Sequence, residues 1–536
     1  MKCAVLALLM ASLFLSGCTK GGGSVSGDRI TIALPINPTQ LNTILAQNSI
    51  ENFTDGLIYS LLVTLDDRGN QVPDLARIVP TQQNGGISRD GLTITYHLRK
   101  GVKWHDGAPF TSKDVKFTWQ QVMNPANNVI SRHGFDQVKS VDTPDEYTVV
   151  FHMKRIFPPA IDTLFGESDT ALRILPEHLL SKYANLNRIP FNAAPVGTGP
   201  YKFVRWERGN QIVLAANADY FRGAPATKEL DLKIILDTNT TESQIRSHEA
   251  QLALQITSPS YNALANAPGV TRQLARAPTY EAIFFNTTRP PLDDVRVRRA
   301  IALAIDRGRL LRNDTYGTGT LAVADLSPFY KAFDASLKPI PYDPDQAKAL
   351  LAQAGWRPGA GGVLTKNGQR LSLQLVFGTG SDIARNVSVQ IQQMLKGAGI
   401  DVQFKSYDYA TLYAVAQSGG ILQGGKFDMA FYAWISGADP DDSSTWLCSS
   451  IPPAGNNATR YCSKEMDALQ REALSTFDPS QRKAAYAKIE ALLLRDAPAV
   501  FLYYLPTRYA HITQLQNFAP NGISEGWNAY QWKIAQ

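Results

Sequence analysis

The chain has 536 residues, a formal net charge of +6, 44% hydrophobic residues and 19% charged residues. That length exceeds one small core, so two or three domains are expected. Its Lys and Arg are scattered rather than clustered, which excludes a nucleic-acid footprint of the usual kind.

The N-terminus reads MKCAVLALLMASLFLSGC, with Lys2 ahead of an apolar run from Ala4 to Leu15. The run is shorter than the ~20 residues of a membrane span and suits the core of a signal peptide. It closes on Leu15-Ser16-Gly17-Cys18, which resembles the bacterial lipobox. On that resemblance, residues 1–17 are a lipoprotein signal peptide and Cys18 is the lipidated first residue of the mature chain. Residues 18–27 are then a flexible polar tether. An ordinary secretory signal that contains a Cys is the competing reading. Thr19 is not the Asp that retains lipoproteins at the inner membrane in many diderms, so sorting to the outer membrane stays open. No later apolar stretch is long enough to span a bilayer.

Strands and helices alternate from there on. LTITYHL (92–98) puts Leu92, Ile94, Tyr96 and Leu98 on one face, a period-two strand. Thr111 followed by Asp114 is a capping-box pattern, and Val115, Trp119, Val122 and Met123 share a face of the helix that follows. ELDLKIIL (229–236) and LSLQLVF (371–377) read as strands. DDVRVRRAIALAIDRGRLL (293–311) reads as one helix with a basic outer face. YDPDQAKALLAQAGW has Asp343 as N-cap, Pro344 at the first helical position, Ala347, Leu350, Leu351 and Ala354 inside, and Gly355 as the stop. Gly/Pro-rich joints fall at 195–201, 286–294 and 357–362. The first two are candidate domain crossings. Mixed α/β with several sheets is the consistent fold class.

Cys3 lies in the signal and Cys18 is assigned, leaving Cys448 and Cys462 as a pair. In an oxidising compartment a disulfide is the natural reading. A metal site lacks partners there: there is no Cys-x-x-Cys, and the nearest downstream His is His511.

No catalytic apparatus stands out. GGILQGGKF fits a P-loop at Gly420, Gly425 and Lys426, but Phe427 stands where Ser or Thr must reach magnesium. Gly378-x-Gly380 is half a dinucleotide fingerprint, with Ile383 in place of the third Gly. The seven His show no zinc spacing, and no Gly-x-Ser-x-Gly elbow occurs. His105-Asp106 in WHDG fits a packed turn. AWISGADPDD (433–442) sets Asp439, Asp441 and Asp442 beside aromatics, with Asp428 upstream. These carboxylates could hold a metal, do acid–base work, grip a cation or cap a helix. A large exported α/β chain without catalysis suggests a binding protein.

LTITYHLRKGVKWHDGAPFTSKDVKFTWQQVMNP (92–125) resembles the signature block of family 5 extracellular solute-binding proteins, the oligopeptide- and dipeptide-binding subunits of bacterial ABC importers. Segments 195–223, 283–307, 342–356, 427–434 and 497–504 match in order. The resemblance implies an α/β, two-lobe, hinged clamp of the periplasmic-binding-protein kind, with an extra inserted subdomain in the first lobe. Lobe I would hold 28–60, 196–285 and 503–536, the inserted subdomain 61–195, and lobe II 286–502. Ligand would be buried between lobes that close about a hinge, bound largely through backbone hydrogen bonds.

The resemblance also implies the contacts: Thr39, Gln40 and Leu41 from the first-strand loop, Tyr59 behind it, and Trp434, Ile435, Ser436 and Gly437 opposite, with Trp104 in a packing role. In peptide-binding members an Asp three residues after the loop Trp holds the ligand amine. Here that position is Gly437. Asp439 either replaces it or, with Asp441, caps the helix starting near Ser443. Relatives that bind dipeptides carry a disulfide where Cys448 and Cys462 fall.

The expected function is capture of peptides or peptide-like solutes for delivery to an ABC permease and its ATPase. The chain would act as a monomer, without cofactor, metal or covalent chemistry. Alternatives are the same clamp with an oligosaccharide, opine, metal chelate or haem, a sensor with a signalling partner, or an exported hydrolase such as a glycosidase.

Overall fold

The computed structural model describes residues 27–168 and 171–535. The signal segment, Cys18 and nearly all of the tether lie outside the described residues. Two large sheets organise the chain. One has seven strands in the spatial order Val270–Ala275, Thr507–Ile512, Leu252–Ala253, Arg29–Leu34, Glu229–Ile234, Gln211–Ala216, Tyr201–Glu207. The other has six: Thr320–Leu321, Ala499–Tyr504, Thr279–Phe285, Met429–Ile435, Ser372–Gly378, Asp401–Tyr407.

The six-stranded sheet is covered on both faces, and the strand Thr279–Phe285 shows why. Successive side chains of a strand point to opposite faces. Ile283 and Phe285 enter one apolar core, while Tyr280, Ala282 and Phe284 enter the other. Residues 61–195 add a three-stranded antiparallel sheet, Thr93–His97, Thr148–Met153 and Val138–Asp145, with the helix Ser112–Met123 against it. Ile94, Trp104, Val115 and Phe151 share one continuous core with Ile30, Ile32 and Leu232 of the seven-stranded sheet. The added sheet is therefore fused to the first lobe by apolar packing.

Local signals read from sequence hold. The Asp114 carboxylate accepts from the Thr111 N–H at 2.8 Å and starts that helix. Asp343 accepts from the Gln346 N–H at 2.9 Å, and Gly355 ends the helix region at φ +94°. The Gly378-x-Gly380 turn joins a strand to the helix Asp382–Gly397, capped by Ser381. His105 is neutral, burial having pushed it down to about 4. Its Nδ1 accepts from the Gly197 N–H and its Nε2–H donates to the Gly199 carbonyl. A Cβ on either glycine would collide with the Ile58 carbonyl, so this joint needs glycine for close approach.

Three expectations are corrected. The segment 293–311 forms two helices, Val295–Ala304 and Arg307–Asp314, because Ile305 turns extended and Asp306 caps a fresh start by accepting from the Arg309 N–H. Its basic face is partly inside. Arg298 is buried and donates to the carbonyls of Asp496 and Ala497, which end the helix Pro479–Asp496 and have no partners within it. Arg307 is buried likewise, on the carbonyls of Ala322 and Phe501. Finally, the joint at 286–294 is not a crossing between sheets. The strand Thr279–Phe285 already pairs with Met429–Ile435 along its length. The chain passes between sheets at Arg276–Pro278 and returns at Leu505–Pro506.

Cys448 and Cys462 are bonded, with Cα atoms 4.6 Å apart. Opening a loop of this size removes about 3 kcal/mol in the chain-entropy model. Urea unfolding of the double Cys→Ser variant is expected to show that loss, and an unchanged midpoint would refute it.

Candidate ligand cleft

The two connections between the sheets run side by side. Ala275 pairs with Thr507 on the first-lobe side and Tyr280 with Tyr504 on the other, and the Leu505 N–H donates to the Thr279 carbonyl at 3.0 Å. Two strands thus continue from sheet to sheet through two- and three-residue links. Such paired short links suit a hinge, since few backbone angles absorb the motion.

Beside this hinge lies a cleft of about 410 Å³, within the range of small-ligand sites. Its second-lobe wall includes Thr279 and Ile435. Ile435 is 57% exposed, although it is a large apolar residue at the end of a central strand. The first-lobe wall comes from Thr43, the stretch Ala46–Ser49 and Asn52, and from Gln255, Arg508, Ile523 and Glu525.

The loop after the first strand is held from behind. Glu51, buried in the first turn of the helix Ser49–Ile58, accepts from the N–H and hydroxyl of Thr39 and from the Gln47 N–H, all at 2.7 Å. Asn48 caps that helix, accepting from the N–H groups of Ile50 and Glu51. Gln40 accepts from the Asn42 N–H. Leu41 is fully buried, and its carbonyl accepts from the Tyr59 hydroxyl at 2.8 Å. Thr39, Gln40, Leu41 and Tyr59 therefore shape the loop, while the cleft surface comes from residues a few positions further on. Sequence reasoning missed that second stretch, where Asn48 ahead of the helix is a cap pattern that could have pointed to it.

In the opposite loop, Trp434 is half-buried against the second core and the Ser436 N–H donates to the Pro278 carbonyl. The Gly437 carbonyl accepts from the Tyr330 hydroxyl at 2.6 Å. Asp439 is inside the lobe, and both its oxygens bind the Arg482 guanidinium at 2.6 Å. Asp441 accepts from the Ser443 N–H, and Gln470 donates to Asp442. Asp441 thus meets the first N–H of the short helix Ser443–Trp446, whose cap position belongs to Asp442, while Asp439 has a cation of its own. Asp428 is paired with Arg289 at 3.1 Å. Across the gap, His133 of the 61–195 segment lies 3.9 Å from Asp441. Asp162 of the same segment is pushed up to about 7 by burial and by the Asp439 charge.

Polar groups of the first-lobe wall form a relay. The Ser49 hydroxyl donates to Gln255 Oε1, and Gln255 Nε2 donates to Glu525 Oε1, each at 2.9 Å. Gln255 adopts φ +49°, a left-handed conformation that a non-glycine residue holds only when its surroundings insist. Burial lifts the Glu525 carboxyl to about 7. Gln255, Arg508 and Glu525 carried no sequence signal, being single residues brought together from distant segments. Among the described residues no group of His, Cys, Asp and Glu could hold a metal ion, and no helix is long and apolar enough to cross a membrane.

Comparison with known proteins agrees with this geometry. The chain is 27% identical over 546 residues to the oligopeptide-binding protein AppA of Bacillus subtilis, covering 99% of this chain and 98% of that protein. It is 30% identical over 455 residues to di/tripeptide-binding protein 2 of Pseudomonas aeruginosa, covering 80% and 81%. The structure of Bacillus subtilis AppA in complex with a nonapeptide superposes with a TM-score of 0.77 at 26% identity, covering 95% of this chain and 99% of that one. NikZ from Campylobacter jejuni in complex with Ni(L-His) superposes with a TM-score of 0.79 at 25% identity, covering 95% and 100%. The model of the bacterial extracellular solute-binding proteins, family 5, matches residues 70–456. With its two-lobe α/β clamp and a cleft at the hinge, the chain belongs to the family 5 extracellular solute-binding proteins of bacterial ABC importers.

Proposed function

We propose that the mature chain is a lipid-anchored receptor that takes peptides into the cleft between its lobes and hands them unaltered to a permease. The supporting observation is the cleft itself, walled by both lobes at a two-strand hinge. The peptide assignment draws on relatives named for oligopeptide and di/tripeptide binding. The small and polar side chains of Ala46–Ser49 on the first-lobe wall suit a peptide ligand. Anchoring would run through Cys18, with the polar tether giving the clamp reach to its permease.

Titration of the tether-free protein with short peptides is expected to raise its melting temperature by mass action. The peptide should be recovered intact after long incubation. Steady conversion to product would overturn the reading. A metal chelate is the second reading, favoured by Gly437 in place of an amine-holding Asp and by the Ni(L-His) complex of NikZ. Native mass spectrometry of protein from its own host separates the two by the mass of the retained ligand.

A further inference from the structure

Away from the hinge, the 61–195 segment and the second lobe meet a second time. Phe477, between the helices Lys464–Ala473 and Pro479–Asp496, packs on the first-lobe core, so close to Gly91 that a Cβ there would lie 3.0 Å from its ring. His133 comes within 3.9 Å of Asp441 and rests edge-on against Phe157. The next residue, Gly134, packs on Phe157 and Thr163, which sets the turn Ala160–Thr163 beside this contact. That turn carries Asp162, 9% exposed. Gln71 of the same segment donates to it at 2.8 Å, and Tyr96 faces it. From the second lobe it faces Asp439, Arg482 and Lys331. Arg482 has all three of its nitrogens engaged, on Asp439, Ala473 and Tyr486.

An ionised Asp162 is therefore held out of water against a second carboxylate whose cation is already taken. That arrangement costs free energy only while the two sides touch. We propose that this contact is a latch whose strength is set by the protonation of Asp162: the proton lets the clamp close, and its loss lets the clamp open. The latch rests on lobes that move about the hinge and on no particular ligand. It lies in the 61–195 segment and the second lobe, away from the walls of the cleft.

The direction follows from the two states. Closed, Asp162 is pushed up to about 7 by burial and the Asp439 charge, against the Gln71 hydrogen bond and the cations Arg482 and Lys331. Open, it meets water and returns toward ~3.9. Closure therefore takes up a proton between those values. Its contribution is fully present below the open-state value and is lost as pH rises through 7. Between pH 5.5 and pH 8.5 the ratio of closed to open protein falls about thirtyfold. The other titratable groups at the contact are His133 and Asp441, the latter pushed up by burial.

The test is a distance measured in the ligand-free mature chain. Spin labels on Arg89→Cys and Ser475→Cys, exposed positions on the two sides of the Phe477 contact, report the separation by electron–electron dipolar coupling. The ratio of short to long separations is expected to fall about thirtyfold from pH 5.5 to pH 8.5, with its midpoint near 7. Asp162→Asn keeps an acceptor for Gln71 and loses the charge, so it should hold the short separation at both pH values. His133→Gln should lower the short fraction and leave the pH response in place. One distance distribution at both pH values in the labelled protein would overturn the latch. So would a response that survives in Asp162→Asn, or one that disappears in His133→Gln. None of these outcomes bears on the peptide reading, because no ligand is present, and a failure of peptides to bind leaves the latch standing.

Discussion

Replacing Arg482 with Met is expected to destabilise the protein by about 3–5 kcal/mol, the usual result of leaving one member of a buried ion pair alone. Arg482 and Asp439 are 13% and 8% exposed, and they meet through two parallel 2.6 Å hydrogen bonds. The guanidinium also donates to the Ala473 carbonyl and to the Tyr486 hydroxyl. Without it, the Asp439 charge would face Asp162 and Asp441 with no cation in contact. The loop carrying Ser436 and Gly437 leads directly into Asp439, so ligand affinity should fall with stability. Asp439→Asn added to Arg482→Met should recover much of the loss, because no unpaired charge then remains buried. Urea unfolding of the two single variants and the double variant closes the cycle. A single-variant loss under about 1 kcal/mol would show that the pair contributes no more than a surface salt bridge.

Glu490 should respond to pH in the opposite way from an ordinary surface acid. It lies within the helix Pro479–Asp496 and is fully buried. Burial, and then the Asp325 charge, lift its carboxyl to about 9. The folded protein keeps this proton at neutral pH, whereas an unfolded Glu releases it near ~4.3. Folded chains therefore bind more protons than unfolded ones between those values. The contribution of Glu490 is fully present below the unfolded pKa and is lost as pH rises toward 9. At about 1.4 kcal/mol per unit, three units of pH amount to about 4 kcal/mol. Glu490→Gln cannot titrate, so its stability relative to wild type should climb by that amount from pH 5 to pH 8. Urea midpoints at the two pH values decide it. Parallel curves for the two proteins would mean that Glu490 finds a partner for its charge.

Much of the fold was legible because it is written over short distances. The Thr111/Asp114 box, the Asp343-Pro344 start and the Gly355 stop each involve partners within a few residues, and each forms as read. The Cys448–Cys462 bond needed only compartment and count. The family was legible for another reason: many short blocks in a fixed order leave little room for coincidence. The domain crossing was misplaced because Gly and Pro at 286–294 mark a turn equally well inside a lobe or between lobes. What distinguishes the two is the pairing of Thr279–Phe285 with a strand 150 residues away.

The sequence by itself determined the local elements, the paired cysteines and the family, since each rests on neighbours along the chain or on ordered motifs. The tertiary structure alone decided where charges end up. Asp439 could have faced a ligand until Arg482, 43 positions on, was seen to take both its oxygens. Gln255, Arg508 and Glu525 became one wall only when the chain returned to the first sheet at Thr507. A buried charge settles on whichever opposite charge or dipole folding brings within a few ångströms, and no periodicity in the sequence encodes that meeting.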